Sequence, residues 1–338
     1  MCAIFSFCPS SLGGAPYKNL PFRQKLTSLG LKSALILAST LVCLILALQW
    51  GGSVYPWSDS RVWGCFLGFG LLLALFGYMQ YHQKDEYVIA ASTPTNAGLN
   101  LIRSQCLVPL RVLSQRSVLL GCIFSCLLQG AMMTQTYYLP FYFQAVRGTD
   151  AQTSGFSILP YGVTISIATL ISGTLVTLSG FYVPFMWVGS GIFVAGSGLL
   201  YTLSRSSPFA KWFGYQVFTG TGYGVMVVLA AADIPLGSTL VILAQCLGGS
   251  IGLAIAENVF RNALHTHLLA LQGVDVPAVE AAGGAELQNV VPVELLGPVR
   301  DAFRVAVSDA FLVAVGLGGV AFLAFVGMER KRIIAKGG

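Results

Sequence analysis

The chain reads as an all-α polytopic membrane protein with about eight transmembrane helices, and three observations predict that class. Of its 338 residues, 55% are hydrophobic and only 9% are charged, with a mean hydropathy of +0.74. A soluble domain needs roughly 25% charged residues to solvate its surface, whereas lipid solvates apolar side chains directly. Second, the apolar residues gather into runs near the roughly 20-residue length that crosses a hydrocarbon core. Third, the 39 glycines suit helices whose backbones approach closely inside a membrane.

The crossings are expected at 33–50, 62–80, 117–139, 154–178, 183–203, 212–232, 234–256 and 309–328. The first follows the basic residues Lys18, Arg23, Lys25 and Lys32 and ends at Trp50-Gly51. The second ends where His82-Gln83-Lys84-Asp85-Glu86 begins. Pro140, Pro160 and Pro184 suit kinks or helix ends. Asp233 followed by Pro235 divides the sixth from the seventh as a stop and restart. Five units follow: an N-terminal segment 1–32, a helix pair 33–80, a loop 81–116, a six-helix body 117–328 with a long connection 257–308, and a tail 329–338. The stretch Val293–Val307 is amphipathic and is expected to lie on the membrane surface.

Basic residues set the orientation. Besides the four before the first crossing, Lys84, Arg103, Arg111, Arg116, Arg330, Lys331, Arg332 and Lys336 fall on one side of an even number of crossings. The positive-inside rule therefore places 1–32, 81–116 and 329–338 in the cytoplasm and 257–308 outside. Trp50, Tyr55, Trp57, Tyr137, Tyr138, Trp187 and Trp212 lie near helix ends, as interfacial aromatics do.

Other chemistries find little footing. The net charge of +6 comes from basic residues beside apolar segments, not from a basic stripe with exposed aromatics, so no nucleic-acid partner is expected. Eight cysteines include no Cys-x-x-Cys pair, and Cys43, Cys65, Cys122, Cys126 and Cys246 sit in apolar runs as free thiols. The three histidines, His82, His265 and His267, lie outside the predicted crossings, and no P-loop occurs. No enzyme activity, cofactor or metal is expected.

Polar groups at membrane depth are costly unless paired, which makes them candidates for function. Gln129 and Gln135 in the third crossing, Gln216 in the sixth and Gln245 in the seventh would line a path for small molecules; the alternative is that they tie helices together. Tyr137 and Tyr138 add aromatic contacts. No carboxylate is expected in the middle of a crossing, and Glu257, at the end of the seventh, is the candidate proton carrier. Gly220-Thr221-Gly222-Tyr223-Gly224 and the glycines of 189–198 lack nucleotide-binding spacing and suit close helix packing.

Several segments resemble one family. They are Leu46-Ala47-Leu48-Gln49-Trp50-Gly51-Gly52 with Trp57-Ser58, Tyr137-Tyr138-Leu139-Pro140-Phe141-Tyr142-Phe143-Gln144-Ala145-Val146-Arg147-Gly148, Ser154-Gly155, Leu159-Pro160, and Lys211-Trp212-Phe213-Gly214-Tyr215-Gln216. Asp233-Ile234-Pro235-Leu236-Gly237, Gln245-Cys246-Leu247-Gly248-Gly249, Asn258-Val259-Phe260 and Gly327-Met328-Glu329 continue the series. Together they resemble, over about residues 20–335, the fungal fourteen-helix drug:proton antiporters of the major facilitator superfamily, and within it the toxin-efflux branch. The resemblance implies the C-terminal half of a major facilitator fold, 117–328, preceded by an inserted helix pair, 33–80, with 1–32 the remnant of about six further helices. It implies proton-coupled export of small amphipathic molecules such as drugs, mycotoxins or secondary metabolites, at the plasma membrane rather than the vacuole. The opposing wall would come from a missing N-terminal half or a second copy. Two other readings stay open: a non-transporting membrane subunit or truncated product, and a siderophore or nutrient uptake transporter. The chain departs from the family in a short stretch before Asp233, in what resembles an insertion at 85–105, and in carrying Glu257 where glutamine is usual.

Overall fold

The computed structural model describes residues 31–51, 55–91, 116–179, 183–230, 235–284 and 287–326. Most of the 1–32 segment, the loop at 92–115, Asp233 and the tail 329–338 lie outside these. The described elements are helical: α1 (Leu31–Trp50), α2 (Ser60–Ala91), α3 (Arg116–Phe141), a π-helical turn (Tyr142–Val146), α4 (Ala151–Ser179), α5 (Val183–Tyr201), α6 (Phe209–Ala230), α7 (Pro235–Leu269), the short α8 (Val276–Ala282) and α9 (Leu287–Val290), and α10 (Leu296–Val326). The protein is an all-α polytopic membrane protein.

Among the described residues, six helices are long and apolar enough to cross a membrane, within α2, α3 with its π turn, α4, α5, α7 and α10. About eight were expected. In α1 the apolar stretch, Leu35–Trp50, is shorter than that length. Helix α6 carries Lys211, Gln216, Thr219 and Thr221, and its position explains why it needs little hydropathy. It packs against both α4 and α5, and Gln216 and Thr219 are fully buried. Protein, not lipid, solvates its polar groups.

The chain forms two compact units by contact. Among the described residues, the first holds 31–42 and 67–91, and the second holds the rest. In the first, α2 presents Leu67, Leu71, Leu73, Leu75 and Tyr78 as exposed side chains. The helix runs on through His82–Glu86 to Ala91, well past the expected end of its crossing. Gln, Lys and Glu are good helix formers, so the apolar run marks where the lipid ends and not where the helix does.

In the second unit α3 packs on α7, α4 and α5 on α6, and α10 on α3, α5 and α7. The glycines act as expected from packing. A Cβ on Gly248 would collide with the Cys126 carbonyl, and one on Gly224 would lie 2.6 Å from the Ile165 carbonyl. Small residues let these backbones touch, which gives dispersion contacts where lipid offers no hydrophobic drive. The segment Gly248-Gly249-Ser250-Ile251-Gly252 has the spacing of a nucleophile elbow. It lies inside α7, however, with Ser250 Oγ donating to the Cys246 carbonyl at 3.1 Å, so it is helix and not a strained turn.

Two expectations fail at the 257–308 connection. Helix α7 continues to Leu269, and α10 starts at Leu296, thirteen residues before the expected crossing. The amphipathic stretch Val293–Val307 is not a separate surface helix. From Leu296 it is the start of α10, and its apolar face (Val299, Phe303, Ala306 and Val307) is buried in the main core. The same core holds Leu264, Leu268, Val276, Val279 and Leu287 beside Phe143, Ala145 and Val146 of the π turn. The connection is therefore a folded cap on the end of the bundle. Helix α8 is started by Asp275, whose carboxylate accepts from the Ala278 N–H at 3.3 Å.

The aromatics split as well. Trp57 is exposed, but Tyr138 and Trp212 are buried, Trp212 edge-on to Phe143 at 5.0 Å between ring centres. Adjacency to a helix end placed them at an interface on sequence grounds; the cap covers them.

Candidate functional site

A cleft of about 270 Å³ opens where α3, α7 and α8 meet, lined by Tyr137, Tyr138, Phe141, Glu257, Phe260, Arg261, Asn262, Leu264, His265 and Glu280. Its aromatic wall follows from helical spacing. Tyr137, Tyr138 and Phe141 share one side of α3, and Phe260 of α7 meets them at ring-centre distances of 5.1 Å from Tyr138 and 5.3 Å from Phe141. Tyr137 is half exposed to the cleft, and Tyr138 is buried behind it.

The charged wall follows from the same period. Glu257, Arg261 and His265 recur every four residues, so α7 stacks them on one face. Glu257 Oε1 accepts from Arg261 Nε at 3.1 Å and Nη2 at 2.9 Å. His265 Nδ1 meets Glu280 Oε1 of α8 at 2.9 Å, which ties the cap to α7. Beside this face, Asn262 Nδ2 donates to Asn258 Oδ1 at 2.9 Å. Asn258 Nδ2 donates in turn to the Leu48 and Gly51 carbonyls at the end of α1. The cleft thus offers flat apolar faces, one ion pair and one carboxylate–imidazole pair.

The four glutamines do not all lie together. Gln135 is fully buried, donating to Ser197 Oγ of α5 at 2.5 Å and accepting from the Tyr161 hydroxyl of α4 at 3.0 Å. Gln129 of α3 accepts from the Tyr223 hydroxyl of α6 at 2.6 Å. Gln216 donates to the Ser157 carbonyl of α4 at 3.0 Å, and its Oε1 is buried without a partner among the described residues. These three span helix pairs. Gln245 on α7 is half-buried and makes no hydrogen bond among the described residues. Tyr137 and Tyr138 join Glu257 in the cleft, but none of the four glutamines lines it.

Sequence reasoning missed several partners. Tyr161, Ser197 and Tyr223 come from distant helices, and nothing local announces them. The Glu257–Arg261–His265 row was detectable from its spacing of four, but Glu280 was not. Carboxylates also lie deeper than expected. Asp309 is thirteen residues into α10, about 20 Å along its axis, and Glu257 lies within the long apolar span of α7. Asp309 is half-buried and has no hydrogen-bond or ion-pair partner among the described residues.

An all-helical bundle with glycine-mediated contacts and an aromatic, charge-edged cleft defines a polytopic membrane protein. No family model matches the chain. It is 41% identical over 324 residues to the MFS-type transporter ltbE of Aspergillus luteorubrus, covering 93% of this chain and 56% of that protein. It is 35% identical over 302 residues to the MFS acetylaranotin efflux transporter ataA of Aspergillus terreus, covering 86% and 63%. With the MFS-type efflux pump MFS1 of Trichophyton rubrum it shares 31% over 307 residues, covering 88% and 54%. The chain is homologous to the fungal MFS-type transporters and efflux pumps, and it spans a little over half the length of these relatives.

Proposed function

We propose that the chain forms the C-terminal, substrate-handling half of a proton-coupled pump that exports small amphipathic molecules. The observation that carries this reading is homology over nearly the whole chain to named efflux transporters, joined to a cleft whose aromatic faces and ion pairs suit amphipathic ligands. Tyr137 and Tyr138 provide the aromatic contact, and Gln245, with no partner among the described residues, is the glutamine free to meet a substrate. Gln129, Gln135 and Gln216 position the helices around the path. No covalent chemistry is involved. The protein sits in the plasma membrane with both termini in the cytoplasm, consistent with its basic residues.

Transporters of this type bind between two halves that rock against each other. The opposing wall comes from an N-terminal half or from a second copy of the chain. A second reading is a membrane subunit that works only with a partner half. The test is efflux of a panel of fluorescent amphipathic compounds from yeast stripped of its own pumps. Efflux that a protonophore abolishes supports export. Efflux that appears only when a relative's N-terminal half is co-expressed supports the subunit reading, and accumulation of the compounds would reverse the direction of transport.

A further inference from the structure

We propose that the corner between the end of α3, the α5–α6 turn and the first turns of α10 binds a phosphate-class oxyanion. Three arginines from distant parts of the chain converge there. Arg147, just past the π turn, donates from Nη1 to the Ser207 carbonyl at 3.1 Å, which fixes the α5–α6 turn beside it. Arg205 belongs to that turn, and its Nη1 reaches α10, where a Cβ on Gly297 would lie 3.8 Å from it. Arg300 follows one helical turn later on α10, and its guanidinium packs against Gly148. Neither Arg205 nor Arg300 has a hydrogen-bond or carboxylate partner among the described residues, and the Arg300 Nε is buried with none. The charge of Arg205 acts on Arg300. Two neighbouring guanidinium groups that repel each other, one with a buried and unsatisfied N–H, form an arrangement that an oxyanion completes.

The cavity that Arg300 lines fits that chemistry. It measures about 240 Å³ and is lined by Gln144, Gly148, Thr149, Asp150, Gly284, Leu287 and Arg300. Drug-sized ligands take roughly 300–1,000 Å³, so the space suits a phosphate group better than a transported molecule. Asp150 shares the lining, but its carboxylate is turned to the start of α4, accepting from the Thr153 N–H at 3.3 Å. Gly148 has φ +71°, and this left-handed turn lets the backbone pass under the guanidinium. The phosphate belongs either to a lipid headgroup or to a free anion, since the guanidinium fork matches both.

The test uses the whole chain purified in detergent at constant ionic strength, with thermal unfolding followed by tryptophan fluorescence. The probes are inorganic phosphate, dioctanoyl phosphatidic acid, dioctanoylglycerol and acetate. Phosphate-bearing probes are expected to raise the midpoint in a saturable way, and Arg205→Gln and Arg300→Gln each to weaken that response about tenfold. Arg61→Gln, on α2 outside the corner, should leave it unchanged. A response to phosphatidic acid alone identifies a lipid headgroup, and an equal response to inorganic phosphate identifies a free anion. Midpoints that move with neither phosphate probe, or equally with dioctanoylglycerol or acetate, overturn the proposal, as does wild-type binding by both variants. Should Arg300→Gln fail to fold, Arg205→Gln on its exposed turn gives the same reading, and Arg300→Lys tests whether charge alone suffices.

Discussion

At the scale of single residues, the glutamines separate into two kinds by the partners they reach. Gln135 satisfies both ends of its amide between α4 and α5, whereas Gln245 has no such partners among the described residues. Polar links between membrane helices contribute about 0.6 kcal/mol each, up to about 2. Gln135→Ala is therefore expected to destabilise the purified protein by that order, read as a lower thermal midpoint. Gln245→Ala should leave the midpoint nearly unchanged and alter the substrate profile in the yeast efflux assay. Equal destabilisation by both would make Gln245 another helix tie. The sequence showed that these amides lie at depth; it gave no means of telling which were paired, because Tyr161 and Ser197 are 26 and 62 residues away.

At the scale of elements, the end of α3 is the most informative feature. Pro140 does not stop the helix. The chain passes through it, widens to π pitch from Tyr142 to Val146, and turns at Gly148. Ser154 Oγ donates to the Pro140 carbonyl at 3.1 Å, and the Thr149 N–H bonds the Phe143 carbonyl at 3.1 Å, so the widened turn stays satisfied. Gly148→Ala places a Cβ at positive φ and against Arg300, which costs about 1–2 kcal/mol from the backbone alone. Its expected signature is a lower melting midpoint, checked against Gly155→Ala, where a Cβ meets open space. At the start of α4, hydrogen bonds from Thr153, first its hydroxyl and then its N–H, hold the Asp150 carboxyl below its ordinary range. A depressed carboxylate stabilises the fold above its unfolded pKa and loses that contribution only as pH falls through the lowered value. The midpoint difference between wild type and Asp150→Ala should thus be the same at pH 5 and pH 8. A difference that shrinks by pH 5 would place the titration higher.

At the scale of the whole molecule, the proposed proton coupling would draw on two carboxylates among the described residues. Glu257 is held by Arg261, while Asp309 is half-buried on α10 with no partner among the described residues. A carboxylate in an ion pair gives up its partner's attraction on taking a proton, and one without a counter-charge does not. Asp309→Asn is expected to uncouple export from the pH gradient, with residual efflux insensitive to a protonophore. Glu257→Gln, the residue usual in the family that the chain resembles, should keep coupling and change which compounds are moved. The reverse pattern would assign the proton to Glu257.

What the sequence determined by itself was the class: 9% charged residues in 338 cannot cover a water-exposed surface, and the apolar runs and ordered motifs pointed to the family that the relatives bear out. Hydropathy sees the solvent a helix faces. It therefore marked the core of each crossing, α6 at 212–232 included, but not where α10 begins, because the first turns of that helix pack on protein. Only the tertiary structure decided that α7 and α10 run on into the 257–308 connection, that Tyr138 and Trp212 belong to the core, and that Arg147, Arg205 and Arg300 share a corner. Each depends on contacts between residues far apart in the chain, and a single sequence carries no signal of distance in space.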